Sequence, residues 1–193
     1  MTPEQSAELA KPIRVLQIIV GAMIAGVVAL LVIALLIGPQ MESPAGDADG
    51  APPRTPVITY VAVACAAAML VASLVLPQLL TVVGRRRIAA GAHSSRRTGQ
   101  GGPMFTPAFF KRTGDAGRLC AVLFMSTIIG AAMLEGGALL GGVAYLVEGQ
   151  QFALIAAVVL LFVLLLRFPT RSRAERWISE QAERIQQERA FRM

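Results

Sequence analysis

Four apolar blocks separated by polar connectors constrain this chain more than any other feature: Val15–Ile37, Val57–Val83, Leu119–Val147 and Phe152–Leu166. Each of the first three, wound as an α-helix, is long enough to cross a hydrocarbon layer about 30 Å thick. The fourth is short, and spans when Phe168 and a snorkelling Arg167 are counted. The composition agrees, at 55% hydrophobic and 16% charged; a soluble domain of this size carries more charge and shorter apolar runs. The expected fold is therefore all-α, an integral membrane four-helix bundle with spans at 15–37, 57–83, 119–147 and 152–168. A cytoplasmic N-terminus (1–14), a basic cytoplasmic loop (84–118) and a cytoplasmic amphipathic tail helix (169–193) complete it. The first block is too long for a signal-peptide core, follows Glu4 and Glu8, and lacks a nearby small-x-small cleavage site. An uncleaved first helix is expected.

Basic residues are unevenly distributed. Segment 84–118 carries Arg85, Arg86, Arg87, Arg96, Arg97, Lys111, Arg112 and Arg118 against Asp115 alone, and the tail from Arg167 carries seven arginines. Loop 38–56 has Arg54 against Glu42, Asp47 and Asp49, and Glu148–Gln151 has no base. The positive-inside rule then places both termini and the middle loop in the cytoplasm, with the cytoplasmic membrane as the expected location. Arg85, Arg86, Arg87, Arg171 and Arg173 abut apolar blocks, so membrane lipid headgroups are their expected partners, and nucleic acid is not. The apolar patch Met104–Phe110 is expected on the membrane surface.

The tail Ser172–Phe191 reads as a helix. Ser172 and Glu175 have capping-box spacing. Trp177, Ile178, Gln181, Ala182 and Ile185 recur on one face, and Arg176–Glu180 and Glu180–Arg184 are one turn apart. Such a helix lies on the membrane or caps the bundle.

Glu135 is the only charged residue well inside a long apolar run. A carboxylate in hydrocarbon costs several kcal/mol or more, so it persists protonated, paired or facing a cavity. No lysine or arginine lies at its depth, so a neutral carboxyl is expected. Gln78, Ser73, Thr81, Ser126, Thr127 and Tyr145 are the candidate hydrogen-bond partners. Around the acid lie Gly130, Ala131, Gly136, Gly137, Ala138, Gly141 and Gly142, with Gly137/Gly141 and Ala138/Gly142 as small-xxx-small pairs. Such pairs let a neighbouring helix approach closely, so these residues are expected to pack helices and Glu135 to face protein. Gly21/Ala25 and Ala22/Gly26 are similar pairs in the first block, and Pro77 is a candidate kink in the second.

Cys65 and Cys120 have no metal-ligand spacing and suggest no disulfide framework, and His93, the single histidine, sits in a polar loop. No nucleophile–base constellation, phosphate-binding glycine loop or cofactor motif is present, so neither enzymatic activity nor a cofactor or metal is expected.

The run Thr127–Val147 (TIIGAAMLEGGALLGGVAYLV) resembles the carboxylate-bearing helix of rotary ATP synthase c subunits. The resemblance covers about twenty residues. It implies that Glu135 carries a proton, with Gly136 standing where a sodium-type ring has a hydroxyl residue. The second block lacks that family's alternate glycines, and the middle loop lacks its Arg-Gln-Pro signature. Over Thr127–Gly149, ending Ala-Tyr-Leu-Val-Glu-Gly, the chain is similar to small uncharacterised four-span bacterial membrane proteins. The expected role is structural or in assembly, with protonated Glu135 packing helices or docking a partner, either a second copy or another membrane protein. The alternative is a c-subunit-like proton-binding component of an ion-translocating assembly.

Overall fold

A computed structural model describes residues 3–41, 57–89 and 105–190. Among the described residues the chain is all-helical: α1 (Pro3–Met41), α2 (Val57–Ala89), α3 (Pro107–Glu148), α4 (Gln151–Leu166) and α5 (Arg171–Ala190). Ala7–Gly38, Val57–Arg86 and Pro107–Glu148 are long and apolar enough to cross a membrane, and α4 meets that standard only jointly with Arg171–Glu188 as a bent pair. Ile18, Leu36, Tyr60, Val71, Leu79 and Phe162 are exposed, as expected of helices that face hydrocarbon.

The helices outrun the apolar blocks that seed them. At 39 residues α1 is about 58 Å long, roughly twice the hydrocarbon thickness. It begins at Pro3, within the segment 1–14 read as a cytoplasmic N-terminus. Within 84–118, residues 84–89 continue α2 and 107–118 open α3; Arg96 and Arg97 lie outside the described residues, as does His93. Thr106 starts α3: its side-chain oxygen accepts the N–H of Phe109 at 3.2 Å, and Pro107 takes the first helical position, where its missing N–H costs nothing. Gly114 then breaks the helix with φ 58° and ψ −135°, a backbone conformation that L side chains rarely adopt.

The chain forms two compact units. The first comprises Met1–Val20, Val75–Ile129 and Pro169–Met193. Leu9, Ile13, Ile88, Phe105, Phe109, Leu119, Cys120, Ala174, Ile178 and Ile185 are its buried core. Phe105 meets Phe109 and Phe124 edge-on, with ring centroids at 5.7 and 5.4 Å. The apolar patch expected on the membrane surface is thus folded inward at Phe105 and Phe109, because the Gly114 break turns its short helix out of line with the rest of α3.

The tail helix buries its stripe in the same core. Ala174, Ile178, Gln181 and Ile185 are buried, with Trp177 and Ala182 packed beside them. Its start differs from the capping box read at Ser172. The helix begins at Arg171, Ala174 N–H donates to the Thr170 carbonyl, and Glu175 pairs back to Arg171 at 2.7 Å. Arg85–Glu188 (3.0 Å) and Arg112–Glu8 (3.1 Å) are further ion pairs of this unit, and Gln17 donates to the Pro169 carbonyl.

Gln181 is 6% exposed, and its buried side-chain oxygen has no hydrogen-bond partner among the described residues. Leaving such a group unsatisfied costs about 1–3 kcal/mol. Gln181→Met keeps the volume and removes the orphan. The expected outcome is about 1 kcal/mol of added stability, read as a higher Tm in detergent.

The second unit comprises Gly21–Leu74 and Gly130–Phe168. Ala62, Ala144 and Ala153 form a small buried cluster with Leu140 and Tyr145 beside it, while Val27, Leu31, Ala34, Leu134 and Ala138 are also buried. Small side chains dominate these contacts, so backbones approach closely and dispersion replaces bulk.

Candidate functional site around Glu135

The glycines of α3 bring three neighbouring helices close to it. A methyl on Gly141 would stand 2.9 Å from the Ala153 carbonyl oxygen and 3.1 Å from the Ala157 side chain, both on α4. On Gly142 it would meet Leu30 of α1 at 2.9 Å; on Gly137, Leu160 of α4 at 2.8 Å and Met69 of α2 at 3.5 Å. Gly136 has room, with Met69 at 3.8 Å. Gly130, Ala131 and Ala138 are buried.

Glu135 rises from this surface half-buried, between buried Leu134 and Gly137. Its Oε1 lies 3.8 Å from the place a β-carbon on Gly26 of α1 would occupy. Gly26 and its neighbours Ala22, Ala25 and Ala29 are exposed, so the acid borders an open, small-residue face of α1. Among the described residues no hydrogen bond or ion pair reaches its carboxyl.

Several polar side chains expected to serve it are engaged elsewhere. The hydroxyls of Ser73, Thr81 and Ser126 donate to carbonyls of their own helices, those of Leu70, Pro77 and Leu123. This back-bonding suits hydroxyls in an apolar setting, where a carbonyl one turn back is always within reach. Tyr145 lies over Gly38 of α1, whose added methyl would fall 2.8 Å from the ring.

The five arginines picked out for lipid headgroups differ in their surroundings. Arg85 is turned to Glu188 and only 20% exposed, Arg171 is paired with Glu175 but open, and Arg86 and Arg173 are exposed. The side chain of Arg87 lies outside the described residues. Cys65 and Cys120 are free. Among the described residues no group of three or more His, Cys, Asp or Glu side chains could hold a metal ion.

Sequence reading passed over Glu148. Its carboxylate accepts the N–H of Ile58 at 2.9 Å and of Thr59 at 2.7 Å, capping the start of α2 from the end of α3. A helix N-terminus presents unsatisfied N–H groups and a partial positive charge, and both favour a carboxylate. The first turn of α2 has no acid of its own, and this was the readable signal.

No protein-family model, curated protein or solved structure matches the chain.

Proposed function

We propose that this chain is a multi-pass protein of the bacterial cytoplasmic membrane in which Glu135 is a neutral carboxyl that docks a partner helix, a structural or assembly role. Four spans, both termini and the basic segments inside, and a tail helix on the cytoplasmic side form the arrangement proposed, supported by the arginine distribution.

One observation carries the docking role. The Glu135 carboxyl borders the exposed Gly26 face and has no polar partner among the described residues. A carboxyl within an apolar run is costly without a polar partner, so the missing partner is sought on another chain. A second copy suits it, because two protonated carboxyls can each donate and accept. The residue pattern Thr127–Val147 and the residual exposure of Glu135 support a second reading, c-subunit-like proton exchange.

Self-association of Glu135→Gln and Glu135→Leu, followed by energy transfer between labelled copies in proteoliposomes, separates the readings. Gln keeps the hydrogen bond and is expected to associate like the wild type. Leu is expected to weaken association about 3- to 20-fold, the span of membrane hydrogen-bond energies. Unchanged association in Glu135→Leu would rule out docking to a second copy. If both variants associate normally and a hydrophobic carbodiimide labels Glu135 less as pH rises, proton exchange is favoured.

A further inference from the structure

Pro77 stands inside α2, and the helix continues through it to Ala89. In an α-helix each carbonyl receives the N–H four residues on, and proline has none to give. The deprived carbonyl is that of Ser73. Ser73 is fully buried, so water does not substitute, and its own hydroxyl is already committed to the Leu70 carbonyl. The missing bond comes from another helix. Nη1 of Arg167 donates to the Ser73 carbonyl at 2.6 Å, a short charge-assisted contact.

Arg167 is well placed for this. It ends α4, and its backbone N–H donates to the Val163 carbonyl at 3.1 Å. The backbone of Arg167 is therefore fixed to the end of α4. Rather than snorkelling, its guanidinium turns to α2.

We propose that Arg167 supplies the hydrogen bond that Pro77 deletes, latching the end of α4 to the interrupted turn of α2. A bare Ser73 carbonyl is costly, so α2 flexes at Pro77 only when Arg167 lets go. The latch is a conformational device distinct from Glu135 and independent of its role.

The test is a double-variant cycle on the full chain in lipid nanodiscs, with Arg167→Met, Pro77→Ala and the two combined. Arg167→Met is expected to lower Tm by about 4–8 °C. Pro77→Ala restores an N–H four residues after Ser73, so Arg167→Met in that background is expected to lose at most half as much. Amide exchange across Leu74–Leu79 should rise at least tenfold in Arg167→Met and stay near wild type in the double variant. If Arg167→Met fails to accumulate, recovery of the protein in the double variant is the same supporting result. Equal losses with and without Pro77, or failure of both variants to accumulate, overturns the latch.

Discussion

Replacing Ile178 with alanine is expected to lower the stability of the protein by about 2–5 kcal/mol. Ile178 is completely buried in the cluster that joins α5 to Leu9, Ile13, Ile88 and the phenylalanines of α3. Removing three of its carbons deletes apolar contact and leaves a cavity, and a site bounded by several helices collapses poorly. Urea unfolding followed by Trp177 fluorescence measures the loss, since Trp177 packs against this cluster. An exposed position on the same helix, Glu183→Ala, serves as the control and should change stability by less than about 0.5 kcal/mol. A tail helix resting on lipid by its apolar face would give the opposite ranking of readouts. Ile178→Ala would then weaken vesicle binding and leave unfolding in detergent unchanged.

Gly141→Leu is expected to cost about 3 kcal/mol and to loosen α4 from α3. The first added carbon would already fall 2.9 Å from the Ala153 carbonyl oxygen, and backbone cannot rotate away as a side-chain end can. Gly137 and Gly142 are more forgiving, because the nearest atoms are the mobile ends of Leu160 and Leu30. Gly136→Ala, with its nearest neighbour at 3.8 Å, should be neutral or stabilising by up to about 1 kcal/mol through helix propensity. Tm values of Gly136→Ala, Gly137→Ala, Gly141→Ala and Gly142→Ala should likewise rank Gly141 lowest, Gly137 and Gly142 between, and Gly136 highest. Equal losses at Gly136 and Gly141 would mean that close approach to α4 is not what Gly141 provides.

How much of this was legible depends on the physics of each element. Runs of apolar residues report helices directly, and α1, α2 and α3 each enclose the block that announced them. Their extensions were obscured because charged residues end a hydropathy run without ending a helix. The spacing Leu9, Ile13, Leu16, Val20 was nonetheless a readable core stripe, and all four are buried. Glu135 stood out because a lone acid in an apolar run is chemically conspicuous. Its neighbour on α1 was not legible, since which face of α1 meets α3 is decided by tertiary packing. The partner of Arg167 was hidden for a related reason. Proline announces a missing bond, but not which distant side chain restores it.

The link between α3 and α4 is only Gly149 and Gln150, with Gly149 at φ 67°. A sixteen-residue helix reaches about 24 Å, less than a bilayer's hydrocarbon, yet its Ala153 and Ala157 sit against Gly141. Biogenesis inherits a constraint from this. A link this short leaves α4 no slack to seek its own place during synthesis, so α3 and α4 form as one hairpin. A truncation between them is expected to leave the glycine face of α3 without the partner its surface was shaped to meet.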